Sequence, residues 1–214
     1  MDMELFLRAL TLGAGYNSAL VTLGAALLGI TAGAIGCFVL LRRRAMVSDA
    51  ISHATLPGVG IAFIFMALAG GDGRFLPGLL LGAAASAGIG LLTVEWIVRR
   101  TRLHEDAAIG AVLSVAFGLG IVLLTVIQTL GIGKPAGLEG FLLGGAAAML
   151  YAEALTVLVS GAVLALCIAF LWRRMLLVAF DAGYAETLGV PTHRTDRIMM
   201  FLALAVTVIG LKIV

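Results

Sequence analysis

The sequence has 214 residues, 62% apolar and only 12% charged, with 28 glycines and a formal net charge of +2. Soluble globular chains are about 45–50% apolar and about 25% charged, so the polar surface needed to face water on every side is missing and an ordinary soluble domain is excluded. The small net charge gives no reason to expect a nucleic-acid partner. The two cysteines, Cys37 and Cys167, lie inside apolar runs, where they read as small packing residues and not as a disulfide framework.

A bilayer core about 30 Å thick is crossed by about 20 apolar residues in helical form. Six such stretches follow one another here, at about 17–41, 45–69, 76–98, 107–130 and 150–171, with a sixth from Ile198 to Val214 whose 17 residues sit at the lower limit for a crossing. The expected fold is therefore an all-α integral membrane protein, a polytopic bundle of about six transmembrane helices forming a single domain over 1–214.

Basic residues fix the orientation, because short loops rich in Lys and Arg stay in the cytoplasm. Arg42, Arg43 and Arg44 follow the first span, Arg99, Arg100 and Arg102 the third, and Arg173, Arg174, Arg194 and Arg197 lie between the fifth and sixth. That is ten of the 14 Lys and Arg, against Arg8, Arg74 and Lys134 in the alternate segments and Lys212 inside the last span. The N-terminus is accordingly expected outside. The opening Met1-Asp2-Met3-Glu4 is acidic and the first apolar run exceeds a signal-peptide core, so a cleaved signal is not expected. Gly29 and Gly33, and again Gly78 and Gly82, stand four apart on one helical face, a spacing that lets another backbone come close in a bilayer.

Ionisable residues inside a membrane are costly and so mark candidate functional sites. Glu95 precedes Arg99 by four residues at a cytoplasmic span end and reads as half of an interfacial ion pair, and Glu153 near an outer end reads the same way. Lys212 lies within an apolar run, and no partner for it is evident from the sequence. The second span differs. It opens Met46-Val47-Ser48-Asp49-Ala50-Ile51-Ser52-His53-Ala54-Thr55-Leu56-Pro57-Gly58, and Asp49 and His53, four apart, share one helical face. A carboxylate and an imidazole there can both ligate one divalent transition ion. At about 1.5 Å per residue, His53 lies roughly 12 Å into the core, near the midplane. Pro57 has no amide hydrogen for the carbonyl of His53, which marks a kink or a freed oxygen facing an ion, and Gly58 adds compliance. Two ligands are too few for a specific site, so others must come from further helices, a second subunit or water.

Catalytic patterns are missing. Ser52 and His53 are adjacent and point about 100° apart on a helix, and no Gly-x-Ser-x-Gly, His-Glu-x-x-His or Cys-x-x-Cys occurs. Gly131-Ile132-Gly133-Lys134-Pro135 has the wrong spacing for a phosphate-binding loop. The chain thus carries no nucleotide site of its own, and any ATP is hydrolysed elsewhere. Between the fifth and sixth spans, 172–197 is the longest stretch that is not apolar and reads as a cytoplasmic loop. Its core, Phe180-Asp181-Ala182-Gly183-Tyr184-Ala185-Glu186-Thr187-Leu188-Gly189-Val190-Pro191, reads as a short helix with an Asp cap, ended by a glycine before a proline. Such a helix either docks on a partner or merely connects two spans.

At these two segments the chain resembles the membrane-spanning permease subunits of the zinc, manganese and iron ABC importers. Those permeases carry a basic cluster after the first span and then a Gly/Ser-Asp-Ala-x-Ser-His-Ala-x-Leu-Pro-Gly signature, matched here by Ser48 through Gly58. Glu105-Asp106-Ala107-Ala108-Ile109-Gly110, Ala136-Gly137-Leu138-Glu139-Gly140-Phe141-Leu142-Leu143-Gly144 and the run from Phe180 to Gly189 also resemble family blocks in family order. The resemblance implies that Asp49 and His53 line a metal pathway and that the segment from Asp181 through Ala185 to Gly189 is the coupling helix seated on the ATPase. It further implies two cytoplasmic ATP-binding subunits driving two permease chains, an extracytoplasmic metal-binding protein feeding them, and a place in the bacterial inner membrane. Manganese, zinc or iron would be cargo, with no permanently bound cofactor. Family permeases continue beyond the position of Val214, so the family fold is expected to stop short here. The alternatives are a gradient-driven carrier or channel for the same ions, which needs no ATPase, and a membrane enzyme, which needs a nucleophile and base that the sequence does not offer.

Overall fold

The computed structural model describes residues 16–71, 73, 75–130 and 149–213 and is helical throughout, with no strand among them. Seven helices follow in order: α1 Tyr16–Leu41, α2 Met46–Leu68, α3 Leu76–Arg100, α4 Glu105–Leu130, α5 Tyr151–Phe180, α6 Ala182–Thr187 and α7 Thr192–Gly210. The first five are long and apolar enough to cross a membrane and match the first five expected spans. Their lipid-type surface is plain: Ile30, Leu81, Val115 and Phe170 all stand exposed, as apolar side chains do where the solvent is hydrocarbon. The sixth expected span corresponds to α7. Its first two turns carry His193, Arg194, Asp196 and Arg197, while more than half of the helix is buried, from Thr195 to Ile209.

Two helix groups make up the bundle. α2 packs against α3 and α4, α1 packs against α5, and α7 lies between the groups, touching α1, α2, α3 and α5. The α1–α5 seam carries an edge-on contact of Phe38 with Trp172, ring centroids 5.0 Å apart. The crossing of α2 over α3 depends on glycine. A Cβ on Gly58 would overlap the carbonyl oxygen of Gly82, and one on Gly82 would come within 2.5 Å of the Gly58 carbonyl oxygen. Backbones this close exclude any side chain, which is how small residues hold helices together without a hydrophobic drive. The expected role of Gly82 therefore holds, with Gly58 as its counterpart. Gly29 and Gly33 behave differently, since nothing lies within 4 Å of a Cβ built on either; their face is open. Cys37 and Cys167, expected as packing residues, are free thiols on exposed faces.

The connection after the fifth span also differs from expectation. The apolar run ends near Leu171, but α5 continues through Arg173 and Arg174 to Phe180, so the first nine residues of the expected loop at 172–197 extend the helix. Hydropathy marks where lipid ends, whereas a helix continues until a cap stops it. Here the stop is Asp181, whose side chain instead caps α6 by accepting from the Tyr184 amide at 2.8 Å.

Lys212 has a partner after all. Its Nζ lies 3.3 Å from Oε1 of Glu153, with the two side chains only 13% and 20% exposed. Glu153 also accepts from the Leu150 amide at 3.2 Å, closing the first turn of α5. One carboxylate thus caps a helix and neutralises a lysine at the far end of α7. The expected Arg8, Arg74, Lys134, Met1-to-Glu4 and Ala136-to-Gly144 features, the Gly131-to-Pro135 turn and Val214 lie outside the described residues.

Two predictions follow from this packing. Gly58→Val or Gly82→Val should lower unfolding stability by about 3 kcal/mol or more through overpacking, while Gly33→Ala should change it by no more than about 0.5 kcal/mol; denaturation in detergent measures both. Lys212→Met alone should cost about 1–3 kcal/mol because it leaves a half-buried carboxylate with the Leu150 amide but no cation, whereas Lys212→Met with Glu153→Leu should recover most of the loss. Equal losses in single and double variants would contradict the pairing.

Candidate functional site

Helix α2 carries the pair singled out by the sequence. His53 Nε2 lies 3.5 Å from Oδ1 of Asp49 across one helical turn, the spacing expected for two ligands on one face. The local backbone is dense with side-chain hydroxyls: Ser52 donates to the Asp49 carbonyl at 2.8 Å and Thr55 to the Ser52 carbonyl. These bonds spend the hydroxyls on the helix itself and leave the carboxylate and imidazole as the polar groups that face outward. His53 is also held from α4, edge-on to Phe117 with ring centroids 5.1 Å apart, which fixes the ring plane without using either nitrogen.

Pro57 lies inside α2, which continues past it to Leu68. Its ring leaves the His53 carbonyl without the usual intrahelical donor. One residue on, Ser86 of α3 donates to the Ala54 carbonyl at 2.5 Å, and a Cβ on Gly120 of α4 would meet Leu56 at 2.6 Å. The weak point of α2 is therefore clasped on two sides, by a hydroxyl from α3 and by a close approach of α4. Sequence reading found Pro57 and Gly58 but missed Ser86, whose partner is 32 residues away.

The exposure of the pair decides its meaning. Asp49 is 62% and His53 37% exposed at the surface of this chain. An ionisable side chain facing hydrocarbon costs about 2.5–3.5 kcal/mol near the centre of a span; Asp49 lies in the first turn of α2 and His53 one turn deeper, so the imidazole is the more costly of the two to leave against lipid. Among the described residues no group of three or more His, Cys, Asp or Glu is placed to hold a metal ion; Asp49 and His53 are a pair.

A second polar centre lies where the C-terminal end of α3 meets the first turns of α7. Glu95 of α3 accepts from Arg197 of α7 at 3.1 Å, is ion-paired with Arg99 at 2.8 Å, and stands 3.3 Å from His193 Nε2. The ion pair of Glu95 with Arg99 is as expected, and α7 adds the other two groups. With two guanidiniums on one carboxylate oxygen, this cluster repels a cation and is no metal site. Arg44 pairs with Glu105 of α4 at 3.2 Å, and Arg42 pairs with Asp196 of α7 while donating to the Val178 carbonyl of α5 at 3.2 Å. No local spacing signals these bonds.

The short helix α6 matches its expectation in detail. Asp181 is the cap, Ala185 is buried, and Gly189 adopts φ +76°, the left-handed conformation that glycine supplies at a helix end. The Gly189 amide donates to the Glu186 carbonyl at 2.9 Å and the Val190 amide to that of Ala185 at 3.0 Å, the paired bonds of a Schellman motif. Tyr184 and Leu188 stand exposed on its outer side.

Residues 17–214 match the ABC 3 transport family. The chain is 40% identical over 199 residues to the manganese transport system membrane protein MntC of Bacillus subtilis, covering 92% of this chain and 44% of that one. It is 35% identical over 199 residues to the zinc transport system membrane protein TroC of Treponema pallidum, covering 93% and 65%. This chain therefore spans about half to two thirds of the length of these relatives. Among solved structures, PsaBC from Streptococcus pneumoniae in complex with Fab superposes with a TM-score of 0.78 at 28% identity, over 99% of this chain and 70% of that chain. With the match running from the first span to the last residue and the bundle superposing on a solved neighbour, this multi-pass membrane protein belongs to the ABC 3 transport family.

Proposed function

We propose that the chain is the membrane-spanning permease part of an ATP-driven importer of divalent transition metal ions in a bacterial inner membrane. The observation that carries this reading is the Asp49–His53 pair: a carboxylate and an imidazole one turn apart on a membrane helix, open where lipid would penalise them. Both donors suit manganese, iron and zinc, and relatives named for manganese and for zinc transport support the first and last of these. The ion is cargo, held transiently, and no permanent cofactor enters the proposal.

In this reading the exposed face of α2 lines the ion path, and the missing ligands come from a second permease chain, identical or paralogous, or from water. The weak point at Pro57 lets the segment bearing His53 reorient without unravelling α2, because Ser86 and Gly120 hold it. The chain hydrolyses no ATP itself. Cytoplasmic ATP-binding subunits do so, seated on α6 through the surface around Asp181, Ala185 and Gly189, and an extracytoplasmic binding protein delivers the metal. The well-formed docking element, with its own cap and stop, favours this over a gradient-driven carrier, which has no use for it.

Asp49→Ala and His53→Ala should each reduce metal uptake at least a hundredfold in cells while membrane insertion and ATPase co-purification stay intact. Normal uptake at matched expression would refute the ligand assignment. Gly189→Val, which forces a β-branched residue into the left-handed region, or Asp181→Lys, which removes the α6 cap, should leave ATP hydrolysis running in reconstituted vesicles while uptake falls. Unchanged uptake per ATP would remove α6 from the coupling.

A further inference from the structure

The buried charge pair in the first turns of α7 is more than the bundle needs for cohesion. Asp196 is 8% exposed, yet among the described residues only one of its oxygens is bonded, to Arg42, while the other finds no partner there; Nε of Arg42 is likewise buried without one. A purely structural ion pair gains from a two-pronged geometry that satisfies every buried atom. This one is half satisfied, which suits a contact that has a second arrangement.

Its place in the chain gives the contact a direction. On one side, α6 and α7 form a single elbow: the Schellman bonds at Gly189 close α6, and the Thr192 hydroxyl donates to Glu186 Oε1 at 2.7 Å across the corner. Whatever turns α6 turns the first turns of α7, where Asp196 sits. On the other side, Arg42 begins the four-residue connector to α2. That connector is gripped at both ends, by Arg42 to α7 and α5 and by Arg44 to Glu105 of α4. Between them Arg43 takes φ +56°, a left-handed conformation unusual for a residue with a side chain. Asp49 follows within the first turn of α2. A continuous chain of held contacts thus runs from α6 through Asp196, Arg42 and the strained connector to Asp49 and His53.

We infer that Arg42 and Asp196 are positioning residues for transport: they carry the movement of α6 to the connector that sets the orientation of the Asp49–His53 pair. This rests on the reading of α6 as the ATPase-docking helix. Coupling of this kind needs an element with two arrangements, and the half-bonded pair supplies it. Neither residue touches the ion.

The test uses the full chain assembled with its ATPase and extracytoplasmic binding protein in proteoliposomes, with manganese uptake and ATP hydrolysis measured together. Asp196→Asn keeps the shape and removes the charge. Its expected phenotype is ATPase co-purification and hydrolysis within about twofold of the parent, with manganese moved per ATP reduced tenfold or more. Arg42→Lys keeps the charge, and so the fold, but cannot bridge both the Val178 carbonyl and the Asp196 carboxylate; its expected loss is threefold or more in the same ratio. A role in cohesion alone would lower assembly, hydrolysis and uptake together and leave the ratio unchanged. An unchanged ratio in the two variants, beside a parent that couples normally, overturns this inference and leaves the docking reading standing. A parent that takes up manganese without ATP hydrolysis overturns both.

Discussion

A charge in hydrocarbon must find an opposite charge, a hydrogen bond or water, and the layout of this molecule follows from that constraint. Several ionic groups at the ends of the spans are paired across elements: Glu153 with Lys212, Asp196 with Arg42, Glu105 with Arg44, and Glu95 with Arg197. These pairs tie α7 to α5 at one end, and to α3 and the α1–α2 connector at the other. Asp49 and His53 obey the rule only with respect to each other. The same physics draws attention to this pair, whose carboxylate is 62% exposed.

The helix bearing that pair is also the one most closely embraced. α2 has α3, α4 and α7 against it, and its contact with α3 is backbone to backbone at Gly58 and Gly82. A proline in such a helix gives up one hydrogen bond and invites a bend. Ser86 and Gly120 stand against α2 at that point, immediately beyond the imidazole.

The parts of this arrangement that were legible in the sequence are those governed by neighbours in the chain. Span lengths, the Asp49–His53 spacing, the Asp181 cap and the Gly189 stop all depend on residues within a turn or two. Pairings between distant segments were not legible, since Arg42 and Asp196 are 154 residues apart and nothing in either neighbourhood names the other. Lys212 stood without a partner for that reason, and Ser86 looked like any small polar residue. Glycine spacing was ambiguous in a different way: Gly82 and Gly33 sit in equivalent patterns, yet only Gly82 has a backbone against it, because spacing defines a face and not what covers it. The loop at 172–197 was drawn too long because the sequence marked the edge of the lipid and not the end of α5.

That continuation of α5 has a geometric consequence. Thirty residues of helix span about 45 Å at about 1.5 Å per residue, against a hydrocarbon thickness of about 30 Å. The surplus of about 15 Å is not free: within it Met175 and Val178 are fully buried, and the Val178 carbonyl accepts from Arg42 at 3.2 Å. The far end of α5, from which α6 follows directly, is thereby clamped to the connector between α1 and α2, so a displacement of either is felt by the other.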